Sequence, residues 1–330
     1  MKSFCKLVMR VWRYLSVYPL NLSITLKSGQ TFGWVENQHG EFLGVISSCI
    51  VVRLRQCLDD VFRVELDESL LKEQNIDVET VCESLADYFS ARFDLVKLWQ
   101  NWEERDLRFR AVSKRFYALR ILRQDPVECF FSFICSSNNN IARITLMLTS
   151  LRSRFGALIQ KVDGLPLYSF PLIHDIANAS EDDLRALGMG YRAKFLIKSA
   201  KLLDSLGGEE FLLKLRTKSR EEVRENLLQF PGIGNKVADC IALFSLDKLD
   251  VIPVDTHVWQ IAKRDYNVKG LAKLVSVTPA VHETIGNFFR DLYGEHAGWA
   301  HCILFVADLK TFADQSEGKL PMRPRKRRKI

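Results

Sequence analysis

The stretch from Phe230 to Tyr266 reads FPGIGNKVADCIALFSLDKLDVIPVDTHVWQIAKRDY, and it carries more information than any other part of the chain. Pro231-Gly232-Ile233-Gly234 places a glycine on either side of one apolar residue, so the backbone can take positive φ and approach a ligand closely. Apolar positions repeat at helical spacing before it (Val223, Leu227, Leu228) and after it (Val237, Ile241, Leu243, Phe244). The pattern predicts helix, hairpin, helix over about 222–246, with the hairpin at the N-terminus of the second helix. Free amides and the helix dipole favour a phosphate there. Lys236 falls in the first turn of that helix, where the positive helix end, together with burial, favours the neutral amine a nucleophile needs. Nineteen residues on, Asp255 opens another amphipathic run (Val258, Trp259, Ile261, Ala262) as its N-cap. Taken singly, the hairpin is either a phosphate grip or a turn, and Lys236 either a nucleophile or a solvated helix residue.

At 330 residues and 47% hydrophobic content the chain is long enough for two cores, and no run of eighteen apolar residues suggests a membrane span. Eight cysteines (Cys5, Cys49, Cys57, Cys82, Cys129, Cys135, Cys240, Cys302) form no CxxC pair, which signals neither a zinc site nor a disulfide framework. No metal and no cofactor are expected. The net charge of +7 is unevenly placed: residues 319–330 hold seven basic and no acidic residues, so the remainder balances 40 against 40. Setting aside residues 1–35 as well, with five basic and no acidic residues, leaves a net of −5. Any contact with a polyanion must then come from local cations and amides rather than from a basic body.

The segment 313–330 contains PRKRRK at 324–329, a block of like charge expected to be disordered. It reads as a nuclear localisation signal engaging the import machinery, or as a nonspecific nucleic-acid arm. The expected compartment is the nucleus. The segment 1–17 is basic, and a mitochondrial transit peptide is its second reading, although Leu20, Leu22, Ile24 and Leu26 alternate as a strand and leave little to remove.

That alternation continues through 41–54 and Val61 to Leu66, broken at Asn37 to Gly40 and at Asp59-Asp60, and predicts an antiparallel sheet over about 18–70. From Asp77 the period becomes helical (Val78, Val81, Leu85, Phe89) and stays so to Lys310. Ser180 with Asp183 reads as a capping box, and Thr278-Pro279 as a cap followed by proline in the first turn. The fold class is α+β: a sheet domain with flanking helices over 18–112, then an all-helical domain with the helix-hairpin-helix motif over 113–312.

The hairpin, Lys236 and Asp255 together resemble the helix-hairpin-helix/Gly-Pro-Asp superfamily of DNA glycosylases. RQDP at 123–126, FSFICSSNNNIAR at 131–143, LGMGYRA at 187–193, SGQTF at 28–32 and GNFF at 286–289 narrow this resemblance to the eukaryotic 8-oxoguanine DNA glycosylases. It runs in order from about residue 20 to about 310. It implies a monomeric base-excision repair enzyme that removes 8-oxoguanine paired with cytosine from double-stranded DNA. The implied chemistry is a lysine Schiff base followed by a β-elimination that nicks the abasic strand. Endonuclease III-type relatives carry a four-cysteine iron-sulfur cluster after this motif, which the cysteines here could not supply.

The resemblance also assigns roles. Lys236 becomes the nucleophile, and Asp255 stabilises the oxocarbenium-like charge. Gly29 offers its carbonyl to the N7 hydrogen that only the oxidised base carries, and Cys240 and Phe305 cover the two base faces. Tyr191 wedges into the duplex, Asn138 fills the space of the flipped base, and Arg143 and Arg192 read the opposite cytosine with their forks of donors. His257, Gly232 and Gly234 meet phosphate, with Asp308 behind His257. Two positions depart from the family pattern. His301 stands after Gly298-Trp299-Ala300 where the family commonly has a glutamine contacting the Watson-Crick edge, and an ordinary imidazole protonates below about pH 6.5. Gly33 precedes Trp34 where arginine is usual. A superfamily glycosylase for another damaged purine would share the hairpin and Asp255 without needing Gly29 or the arginine pair. A noncatalytic DNA-binding protein would not need Lys236.

Overall fold

A computed structural model describes residues 10–57, 61–271 and 274–309. Five strands, β1 (Arg10–Ser16), β2 (Val35–Glu36), β3 (Phe42–Ile46), β4 (Ile50–Gln56) and β5 (Val61–Asp67), form one antiparallel sheet in the order β1-β5-β4-β3-β2. Val52 and Leu54 of β4 and Phe62, Val64 and Leu66 of β5 alternate inward with period two. They pack on Val81 and Leu85 of the helix Val78–Tyr88 and on Phe89 just past its end, and Asp77 caps this helix by accepting from the Thr80 amide.

Two features of this domain correct the sequence reading. The sheet begins at Arg10, inside the segment expected as a basic arm, with Tyr14 paired to Arg63 in the register of β1 and β5. Leu20 to Leu26 is not a strand: Leu22–Lys27 is a helix capped by the Asn21 side chain, which accepts from the Ile24 amide at 3.0 Å. Apolar residues every second position also satisfy a spacing of four, and Leu22 and Leu26 are buried together on one helical face. Asp59-Asp60, the first nine residues and the tail from 313 lie outside the described residues.

Within the helical region, β6 (Leu158–Val162) and β7 (Leu165–Tyr168) form a hairpin that helical periodicity did not predict. Its turn residues Asp163 and Gly164 have φ of 51° and 81°, the signature of a type I′ turn, and Asp-Gly between apolar flanks was the available signal. The hairpin seats Val162 and Leu167 on Leu43 and Val51 of the sheet. Arg53 of β4 reaches Glu41 and Glu65, both at 3.1 Å, and Asp163 at 2.6 Å, so one guanidinium ties the sheet to the hairpin. At the predicted capping box, the Ser180 hydroxyl accepts from the Asp183 amide, but the Asp183 carboxylate bonds that hydroxyl rather than the Ser180 amide. The reciprocal box forms at Ser219 and Glu222 instead. Thr278 caps the helix Pro279–Tyr293 as expected.

The remaining long helices surround a second core that includes Phe130, Phe131, Phe133, Ile241 and Trp299. The junction between the cores is polar and fully committed. Gln30 donates to the Thr25 and Arg120 carbonyls and to Ser28 Oγ, and accepts from the Leu122 amide. Arg120, entirely buried, donates to the carbonyls of Pro19, Ser90 and Tyr18. These bonds hold the Ser28–Gln30 loop against the helical domain. At Gly33 a Cβ would lie 2.9 Å from Arg152 Nη2 and 3.0 Å from Glu128 Oε1. The Arg152–Glu128 pair therefore occupies the space a larger residue at 33 would take, and the departure there is structural.

Candidate active site and DNA interface

The helix Asn235–Ser245 starts at Gly234, whose backbone is extended and which provides no side-chain cap, leaving first-turn amides for an external anion. Gly232 has φ of +87°, and a Cβ there would meet the Phe195 ring at 2.8 Å, so both conformation and space demand glycine. Ile233 between the two glycines is buried and anchors the hairpin.

Lys236 Nζ lies 3.5 Å from Ser136 Oγ and 5.5 Å above the centre of the Phe133 ring. Ser136 Oγ donates to the Phe133 carbonyl at 2.7 Å, so a lone pair of the hydroxyl is left for the amine. Cys240, one turn beyond Lys236, has its thiol pushed up to about 11 by burial, against the pull of Lys236, and stays protonated at neutral pH. Asp255 caps the helix Thr256–Arg264, accepting from the Val258 amide at 2.9 Å.

Gly29, Lys236, Cys240, Asp255, His301 and Phe305 line one narrow cavity between the Ser28–Gln30 loop and the helical domain. Phe133, Phe244 and Pro253 complete its apolar wall. A wider groove runs beside it, lined by Ser136 to Asn139, Gly234 to Val237, Val254 to His257 and the start of the helix Pro279–Tyr293. Lys236 and Asp255 border both spaces. Asn138, Gly234 and His257 therefore lie on the groove and the base-recognition candidates in the cavity, as two groups joined at Lys236 and Asp255.

His257 Nδ1 is 3.0 Å from Asp308 Oδ2, while Arg264 Nη2 donates to Asp308 Oδ1 at 2.9 Å. The carboxylate is thus held from both sides, which fixes the orientation of the half-exposed His257 ring. His301 is buried, no side chain hydrogen-bonds either ring nitrogen, and the Gly298 backbone is the polar group beside the ring. Burial pushes its pKa down to about 4, against the opposing pull of the Asp255 carboxylate and the Gly298 backbone, which corrects the ordinary value expected from sequence. Phe305 contacts both histidines, its ring inclined 29° to the His301 ring and edge-on to His257.

The other DNA-facing candidates surround the loop Ser136–Asn139. Tyr191 is exposed and its hydroxyl donates to the Ser137 carbonyl at 3.1 Å. Arg192 is buried: its guanidinium lies 4.5 Å from the Tyr191 ring centre and donates to the Ser137 and Asn138 carbonyls. Arg143 is exposed, one turn into a helix capped by Asn140. The two arginines read alike in sequence but differ in state, since Arg143 is exposed and Arg192 is buried. Sequence reasoning missed Ser136, Phe133 and Arg264. Ser136 and Phe133 lay inside a quoted block, but nothing in their spacing linked them to a lysine a hundred residues away.

Residues 14–130 match the family model of the 8-oxoguanine DNA glycosylase N-terminal domain, and residues 131–278 that of the HhH-GPD superfamily base excision DNA repair proteins. The chain is 38% identical over 292 residues to the Arabidopsis thaliana N-glycosylase/DNA lyase OGG1, covering 88% of this chain and 78% of that protein. The chain belongs to the OGG1 family of N-glycosylase/DNA lyases. The family's Saccharomyces cerevisiae N-glycosylase/DNA lyase is 35% identical over 320 residues, covering 88% of this chain and 84% of that one. The fold also matches the Clostridium acetobutylicum 8-oxoguanine glycosylase/lyase in complex with double-stranded DNA containing cytosine opposite 8-oxoguanine. There the TM-score is 0.73 and the identity 27%, over 90% of this chain and 96% of that one. As an OGG1-family member the chain is a DNA N-glycosylase with lyase activity whose partner is DNA.

Proposed function

We propose that the chain removes 8-oxoguanine paired with cytosine and then nicks the strand. The observation that carries this reading is the position of Lys236 and Asp255 on the border between a cavity and a groove. A nucleotide swung out of a duplex lying in the groove places its base in the cavity and its C1′ at the border. The unprotonated Lys236 amine attacks C1′, the bond from C1′ to the base nitrogen breaks, and the base departs with the bonding pair. Asp255 stabilises the positive charge that develops on the sugar. Loss of protons from nitrogen and ring opening give a Schiff base, and removal of a C2′ proton then expels the 3′ phosphate.

In this reading the Gly29 carbonyl accepts from N7–H of the oxidised base, Cys240 and Phe305 cover its faces, and His301 meets its far edge. Asn138 and Tyr191 occupy the gap in the duplex, Arg143 and Arg192 read cytosine, and His257 and the hairpin amides hold phosphate. The enzyme acts as a monomer, and the basic tail directs it to the nucleus. Borohydride added during incubation with a duplex carrying 8-oxoguanine opposite cytosine tests the chemistry, because only an imine is reducible. The parent should form a covalent complex, and Lys236→Gln should bind the duplex but neither cross-link nor release the base. Full release by Lys236→Gln would overturn the nucleophile assignment.

A further inference from the structure

Two carboxylates stand behind the groove, and each has an arginine on one side and a histidine on the other. Asp308 is held by Arg264 and faces His257. Asp239, three residues beyond Lys236 on the helix Asn235–Ser245, repeats the arrangement. It accepts from Arg224 of the helix Arg220–Leu228 at 3.0 and 3.2 Å, and its Oδ2 lies 2.9 Å from Nε2 of His282, near the start of the helix Pro279–Tyr293. His257 and His282 both line the groove. Asp239 and His282 are almost fully buried. Apolar replacements for such a buried charged cluster are often neutral or stabilising, so packing alone does not call for one here. His282 Nε2 is closed to solvent and beside Asp239, though off the line of a straight hydrogen bond, so Nδ1 is the polar atom of the ring left for the groove.

The protonation of the ring decides what it can bind. A neutral imidazole whose proton sits at the carboxylate offers only a lone pair from its other nitrogen, and a DNA backbone has no donor to meet it. The doubly protonated ring donates from both nitrogens, to the carboxylate and to a phosphate oxygen. Arg224 already offsets the charge of Asp239, and Glu283, next to His282 in the chain, is shared between Arg224 at 3.0 Å and Arg290 at 2.7 Å. Lys236 borders the same groove. The carboxylates near His282 are thus answered by cations, and an incoming phosphate is the charge that favours its protonated form. We propose that His282 is a phosphate-contacting residue of the groove that takes up a proton as the DNA backbone arrives, so that His257 and His282, each backed by its own carboxylate, hold two points of the duplex. The inference rests on the reading of the groove as the bed of the duplex.

The test is calorimetric titration of the parent and His282→Gln with a duplex carrying a tetrahydrofuran abasic analogue, which offers Lys236 no base to expel, in buffers of different ionisation enthalpy. At about pH 7.5 the parent should take up about half a proton more than the variant. Because the complex binds that proton, parent affinity falls as pH rises. The variant should therefore bind about tenfold more weakly at about pH 6.5, through loss of one charged hydrogen bond, and differ little above about pH 8.5. Methylphosphonates placed one at a time in the backbone locate the contact. One position should cost the parent about tenfold at the lower pH and the variant nothing. At that position the proton uptake of the parent itself should also fall, a readout that does not depend on the folding of any variant. Equal proton uptake by parent and variant, or a penalty shared by both at every position, would reduce His282 to packing and overturn the proposal. Failure of the parent to bind the duplex at all would overturn the reading of the groove instead.

Discussion

Lys236 and Ser136, a hundred residues apart in sequence, meet through one polar contact of 3.5 Å between Nζ and Oγ. Because that hydroxyl spends its proton on the Phe133 carbonyl, it serves the lysine as an acceptor. A contact that holds the amine from that side fixes the position of Nζ at the edge of the cavity. Ser136→Ala should lower the single-turnover rate of base release by about tenfold, the equivalent of about 1.4 kcal/mol, while leaving duplex affinity unchanged. Ser136→Thr should restore most of the loss, and an unchanged rate in the alanine variant would show that the contact does not position the amine.

The two arginines assigned to cytosine should separate experimentally. Arg143 is exposed, so Arg143→Ala should reduce discrimination for cytosine by about 1–3 kcal/mol without loss of stability. Arg192 holds the Ser137 and Asn138 carbonyls from a buried position, so Arg192→Ala should also destabilise the fold by about 1–3 kcal/mol. Excision opposite each of the four bases, with urea unfolding of the same variants, checks both. Equal weakening against every opposite base would mean that the arginines serve the phosphates only.

Burial of His301 gives the fold a pH dependence of definite sign. Its folded pKa of about 4 lies below the ordinary value, so between about pH 6.5 and pH 4 the unfolded chain binds a proton that the folded chain refuses. Stability attributable to this site is intact above the ordinary value and is lost as pH falls through that window. The expected loss is about 2 kcal/mol between pH 7 and pH 5. Urea midpoints for parent and His301→Gln across that range should converge toward pH 5, and parallel curves would show that the buried imidazole does not contribute.

Removal of residues 319–330 should abolish nuclear accumulation of a fluorescent fusion. It takes away seven cations and no anion, outside the residues that line the cavity and groove. The released base and the preference for cytosine should not change. Retained nuclear accumulation would assign import to another segment.

The hairpin, its two helices and the capping role of Asp255 were legible because backbone requirements leave their mark on sequence: glycines flanking Ile233, apolar residues at 3.6 spacing, and an aspartate before a helix. Sheet strands β3 to β5 were legible for the same reason, through alternation. Leu20 to Leu26 was misread because seven residues cannot distinguish a period of two from one of four, and the deciding group, the Asn21 side chain, acts as a cap rather than through hydrophobicity. The deep burial of His301 and the divergent states of Arg143 and Arg192 were not legible. They depend on which backbone carbonyls happen to lie within reach, a property of tertiary packing that no local pattern encodes.

Phe195 fills the space that a side chain at position 232 would need, and its ring meets Tyr191 edge-on at 5.9 Å. One phenylalanine thus bridges the Gly232 turn and Tyr191, so neither moves without displacing a shared neighbour. The separation of the two is therefore set by the packed interior, and a substitution at Phe195 would loosen both at once.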